Sequence, residues 1–137
     1  MTKTTPSKAA GLDFSTIDIT SAHDRGFEVQ VRHPITDEPL PAYVTLLGEE
    51  SRVIQNFIRN AYNEAQRRED SATPTLEELE DHAISKLIAA TVSWRGVQWG
   101  DEELECTPEN CRKIYSNHRI RRQLLNEMAK DANFPLG

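Results

Sequence analysis

The chain has 137 residues, 37% of them hydrophobic and 28% charged, with a formal net charge of −6. A chain of that size builds one domain around a modest core, and its acidic balance argues against a nucleic-acid binder that relies on phosphate contacts. No apolar run nears the roughly 20 residues that a membrane-spanning helix needs, and Met1–Lys8 lacks the apolar region of a signal peptide, so the expected location is the cytoplasm, with no membrane partner.

Residues 1–14, rich in Thr, Ser, Lys and Ala without periodicity, read as a flexible N-terminal tail in which only Phe14 is a candidate for docking. Residues 15–137 read as a single α+β domain, β-rich over 15–48 and helical over 49–137. Ile17 and Ile19 alternate with polar neighbours, which predicts a short edge strand over Ile17–Thr20. Phe27, Val29 and Val31 alternate with Glu28, Gln30 and Arg32 and predict a second strand. The three prolines within 33–41 predict a loop there. Tyr43–Leu47 then returns as a strand, closing a small N-terminal antiparallel hairpin that needs a helix on its apolar face.

About four helices are expected beyond it. From Glu49 to Arg68, the residues Val53, Ile54, Phe57, Ile58, Ala61, Tyr62 and Ala65 form one apolar stripe. A charged linker follows at about 67–74 and reads as the flexible joint. Thr75 with Glu78 is a capping box, opening a helix whose apolar face runs through Leu76, Leu79, Ala83, Ile84, Leu87, Ile88, Thr91 and Val92. His82 falls beside that face as a packing residue.

The last third organises the chain. Both tryptophans, Trp94 and Trp99, sit there, each close to a glycine, and they read as a tight connection after the helix end. Asp101–Glu105 reads as a solvated acidic loop. Thr107-Pro108-Glu109 is a helix start, and this helix turns Cys111, Ile114 and Tyr115 inward. The terminal helix follows, with Ile120, Leu124, Leu125, Met128 and Ala129 inward and Arg119, Arg121, Arg122 and Lys130 toward solvent.

Chemistry-bearing motifs do not emerge. There is no Gly-rich phosphate loop, no Gly-x-Ser-x-Gly and no His-Glu-x-x-His. Cys106 and Cys111 read as reduced thiols, because even with His118 they fall short of the four ligands of structural zinc. The expectation is a protein that is not an enzyme, with no catalytic residues, no metal and no cofactor.

The order of features resembles that of the tail assembly chaperones of long-tailed bacteriophages. The resemblance runs over about residues 26–136. It rests on the strand ending in His33-Pro34, the Thr36-Asp37-Glu38-Pro39 turn, the strand Tyr43–Leu47 and Gly48-Glu49-Glu50-Ser51 before an amphipathic helix. It continues with Val92-Ser93-Trp94-Arg95-Gly96, Cys106-Thr107-Pro108-Glu109-Asn110 and the closing Asp131-Ala132-Asn133-Phe134. Trp99 and the lengthened acidic loop depart from the pattern. The resemblance implies a non-enzymatic protein of the host cytoplasm. Such a protein binds the tape measure protein, keeps it soluble until tail tube subunits polymerise, and is absent from the finished virion. A frameshifted longer form is common in the family. The tail tube protein and self-association are further partner candidates. The alternatives are a structural tail or connector subunit and, less favoured by the charge, a helix-turn-helix DNA-binding regulator built from 108–115 and 117–132.

No binding residues follow from the resemblance. On size and position the candidates for partner binding are Trp94, Trp99, Tyr115 and Phe134. The expected division makes the hairpin and the Val53–Ala65 helix a self-sufficient scaffold, with the terminal helix and the Trp99 loop as the partner surface.

Overall fold

The computed structural model describes residues 11–68 and 73–136. It is a mixed α and β structure with five helices: α1 (Ile19–Arg25), α2 (Arg52–Arg67), α3 (Leu76–Ala90), α4 (Pro108–Tyr115) and α5 (His118–Met128). Strands β1 (Phe27–Arg32), β2 (Pro39–Leu46) and β3 (Thr91–Arg95) form an antiparallel sheet in the order β1-β2-β3. A separate hairpin pairs β4 (Gln98–Trp99) with β5 (Glu102–Glu103).

The amphipathic pattern of β1 is realised, with Val29 and Val31 buried and Glu28, Gln30 and Arg32 exposed. In the connecting turn, the His33 amide donates to the Glu38 carbonyl at 2.8 Å, and the Ile35 and Thr36 amides donate to His33 Nδ1. β2 starts earlier than expected, at Pro39, which is paired with Arg32 across a bulge. Proline is tolerated at a strand's first residue and beside bulges because it has no amide to contribute to the ladder.

Two sequence expectations are corrected here. The segment expected as an edge strand over Ile17–Thr20 enters a helix instead. Asp18 accepts from the Ser21 amide at 2.9 Å and the Ser21 hydroxyl at 2.7 Å, so it is the N-cap of α1. Asp13 caps the short 3₁₀ turn Phe14–Thr16 in the same way, and Phe14 stays exposed rather than docking. The two carboxylates satisfy helix amides, which outweighs a four-residue alternation too short to hold a strand. The third strand comes instead from Thr91–Arg95, after α3 has ended at Ala90. Thr91 and Val92 therefore do not extend the helix face. Thr91 pairs with Leu46, and Trp94 pairs with Val44. β-branched and aromatic residues gain more on a pleated surface than in a last helical turn.

This pairing also overturns the expected self-sufficient N-terminal scaffold. The buried apolar cluster draws Val29, Val44 and Leu46 from the sheet together with Ile84 and Leu87 from α3, Tyr115 from α4 and Leu124 and Met128 from α5. The terminal helix packs on β1. Its Gln123 amide group bonds both the Arg32 amide (2.7 Å) and the Arg32 carbonyl (3.0 Å), covering an open sheet edge as a neighbouring strand would. Ala129, expected inward, is exposed, and Arg121, expected toward solvent, is turned in to donate to the Tyr115 carbonyl at 2.8 Å.

The turn between β2 and α2 joins these layers. The Leu47 amide donates to Ala90 O at the end of α3, the Gly48 amide to His23 O in α1, and the Glu49 amide to Met128 O at the end of α5. The Glu50 amide donates to His23 Nδ1 at 3.0 Å. Ser51 then caps α2 by accepting from the Ile54 amide, and both residues are fully buried. The His23 ring is buried and stacks on Phe134 at 4.4 Å. No side chain fits at Gly48, since a Cβ there would lie 2.0 Å from His23 Nδ1. The expected linker at about 67–74 lies partly outside the described residues, at 69–72.

Gly48→Ala should therefore destabilise the fold by about 1–3 kcal/mol, the usual range for forcing a methyl into a packed core. Urea denaturation checks this. An unchanged midpoint would mean that His23 can withdraw and that the turn is not fixed by it.

Candidate functional site

The four aromatic candidates do not gather on one surface. Tyr115 is fully buried. Its hydroxyl lies 2.7 Å from Thr91 Oγ, which itself donates to the Leu87 carbonyl. Trp94 is half-buried, meets Tyr115 edge to face at 6.5 Å, and donates its indole N–H to the Leu104 carbonyl at 2.8 Å. Phe134 is buried against His23 and Phe27, away from that pair. These three side chains are spent on internal packing, as large aromatics usually are. Only Trp99 is open, at 52% exposure, with Lys113 Nζ over its ring at 4.4 Å. It stands on the β4–β5 hairpin, which replaces the expected acidic loop. Gly96 starts this hairpin with φ 75°, its Cα backed against the Pro41 carbonyl where a Cβ would clash.

The open apolar surface lies elsewhere. Between α2 and α3 runs a groove of about 1000 Å³ whose apolar side includes Phe57, Ile58, Ala61, Tyr62, Leu79 and Ile84. The stripe on α2 is periodic, as expected, yet only Ile54 in its first turn is buried. Val53, Ile58 and Tyr62 remain exposed, Tyr62 at 62%. On α3 the first two leucines behave likewise, with Leu76 at 82% and Leu79 at 54% exposure, while Ile84 and Leu87 farther along enter the core. Phe57 meets the exposed His82 at 5.1 Å between ring centroids. The α2 helix, expected as scaffold, thus leaves much of its apolar stripe uncovered, and the terminal helix, expected as partner surface, packs into the core. The available signal was that two apolar leucines stand inside the acidic run Leu76–Asp81, one turn ahead of the core residues of the same helix.

The walls of the groove are acidic. Glu64, Glu77, Glu78, Glu80 and Asp81 face Arg68 and Arg112 there. Hydrogen bonds from Thr75 hold the Glu78 carboxyl below its ordinary pKa, as the capping box requires. Arg112 bonds Asp81 at 2.7 Å and Ser85 at 3.2 Å.

Among the described residues no group of three or more His, Cys, Asp or Glu side chains is placed to hold a metal ion, and no helix is long and apolar enough to cross a membrane. Burial, followed by the neighbouring Cys106 thiol, pushes Cys111 up to about 12. Burial also raises Tyr115, which lies in the same core. Comparison with family models, curated proteins and solved structures finds no match for this chain.

Two predictions follow from this placement. Truncating Trp94 to alanine should cost about 3 kcal/mol, as for other packed aromatics, whereas Trp99→Ala should stay within about 0.5 kcal/mol of wild type; denaturation of the two variants side by side decides. The raised Cys111 gives a second test. The folded protein keeps the thiol proton where the unfolded chain has lost it, so its contribution is complete below the ordinary value of 9.0 and is lost as pH rises toward about 12. Stability should fall between about pH 9 and about pH 11, less steeply in Cys111→Ala. Equal slopes would remove Cys111 from the alkaline transition.

Proposed function

We propose that this chain is a non-enzymatic tail assembly chaperone of a long-tailed bacteriophage. It acts in the host cytoplasm, holds the tape measure protein soluble until tail tube subunits enclose it, and leaves before the virion is complete. The observation that carries this proposal is the uncovered apolar groove between α2 and α3 on an otherwise acidic protein. A long helical client exposes apolar stripes that aggregate in water. A chaperone for it needs an apolar surface open enough to release the client, and a net charge that keeps the pair in solution. Both are present. The ordered resemblance of the sequence motifs supplies the identity of the client.

The regulator alternative is weakened by the same geometry. Of the three arginines on its recognition helix, Arg121 is committed to the Tyr115 carbonyl and lies 3.6 Å from Glu80. Phosphate contacts would then fall to too few cations for an acidic chain.

Co-expression with the tape measure protein of the same phage should raise that protein's soluble yield, and the two should co-purify. Absence of any association in a pull-down at low and at moderate salt would reject the chaperone reading. Recovery of the chain in purified virions would favour a structural tail subunit.

A further inference from the structure

We propose that the groove between α2 and α3 seats an amphipathic helix whose apolar face is flanked by lysine and arginine, an inference that rests on the chaperone reading for the identity of the natural client.

The shape argues for a helix. The α2 helix has 16 residues, about 24 Å of length at the rise of an α-helix, and past Phe57 its stripe of Ile58, Ala61, Tyr62 and Ala65 is largely uncovered. That spacing of three and four residues is the ridge pattern against which another helix packs. Both walls are themselves helices, whose backbone groups are already bonded within each helix. An extended segment would find no amide edge to pair with and would bring its own unsatisfied N–H and C=O groups onto an apolar floor. A helix brings only side chains.

The charge argues for a basic one. Five carboxylates line the groove, at Glu64, Glu77, Glu78, Glu80 and Asp81, against the guanidinium groups of Arg68 and Arg112. Arg67 and Arg121 partner Glu64 and Glu80 from outside. Glu77 has no ion-pair partner among the described residues. The exposed Leu76 and Leu79 alternate with these acids along the first turns of α3, so an apolar anchor inserted beside them brings its flanks against negative charge. Cationic flanks gain from this and acidic ones are repelled. The same rim disfavours a second copy of the chain, because a two-fold contact through this face would set two surfaces with the same excess of carboxylates against each other.

The test uses the full chain and two synthetic helices of about 18 residues, one patterned with Leu and Lys and the other with Leu and Glu, each carrying a fluorophore for anisotropy. The Leu/Lys helix should bind and the Leu/Glu helix should not bind at the same concentrations. The double variant Tyr62→Ser/Leu79→Ser alters two exposed side chains and should keep the wild-type melting temperature while weakening the Leu/Lys helix by about tenfold or more. Glu77→Lys should weaken it severalfold. Equal binding of both helices would overturn the proposal, and so would unchanged binding of the Leu/Lys helix by the double variant. A sedimentation mass that is dimeric for wild type and monomeric for the double variant would also overturn it, by assigning the groove to a second copy. Binding of the Leu/Lys helix without any tape measure association would reject the chaperone reading and leave the groove assignment standing. Tape measure association undiminished in the double variant would do the reverse.

Discussion

The structure depends on how the turn from Leu47 to Ser51 satisfies its backbone. Four successive amides, from Leu47 to Glu50, donate to the end of α3, to α1, to the end of α5 and to the His23 ring. A buried amide left without an acceptor costs about 1–3 kcal/mol, and the bonds of Leu47 and Glu49 tie the turn to the ends of α3 and α5. The arrangement needs a residue without a side chain at Gly48 and a ring nitrogen free to accept at His23 Nδ1. The other ring nitrogen, Nε2, is buried and lies 3.3 Å from Asp131 Oδ1. Phe134 covers the ring from one side. Residues far apart in the chain thus meet in one small volume, and the N-terminal hairpin shares its buried face with the C-terminal helices.

This anchoring explains why α2 is open. The turn holds the helix at its first residues, through Ser51 and Ile54, and α3 lies alongside it. Among the described residues α3 covers the later part of the stripe only in part, and Ile58, Tyr62 and Ala65 stay exposed. The core is built by α3, α4 and α5 against the sheet, with Ile54 joining it from α2, and the apolar positions of α2 beyond Phe57 lie outside it. Amphipathic helices in small domains are ordinarily paid for by burial of their stripe. One that keeps most of its stripe in water gains its full stabilisation only when something else covers it, which is the property a reversible helix-binding protein requires.

Trp94, Trp99, Tyr115 and Phe134 illustrate the limits of choosing binding residues by size. Trp94 and Tyr115 serve one joint, where the end of α3 becomes β3 and α4 backs onto it. Phe134 serves the His23 contact at the other end of the chain's path. Large apolar area is equally useful to a core and to an interface, and nothing local to these residues distinguishes the two. The α2–α3 groove is lined by Phe57, Ile58, Tyr62 and Leu79 among acids, a pattern that reads as an ordinary solvated helix face until its neighbours are known.

The sequence by itself determined the elements whose cause is local. The alternation of Phe27–Arg32 makes β1, the Thr75–Glu78 capping box starts α3, and Thr107-Pro108 starts α4, because a side chain within a few residues supplies the missing hydrogen bond or the fixed torsion. The stripe of α2 was equally visible, as was the inward face of Leu124 and Met128. Only the tertiary structure decided which apolar faces are covered. Thr91–Arg95 becomes a strand because Val44 and Leu46 of β2 wait for a partner 45 or more residues away in the chain. The α1 helix, started locally by the Asp18 cap, is held in place by the Gly48 amide bonding to the His23 carbonyl. The stripe of α2 stays in water because the terminal helix, rather than α2, fills the space over β1. Competition between distant segments for one sheet face sets these outcomes, and periodicity records only that a face is apolar, not which face wins.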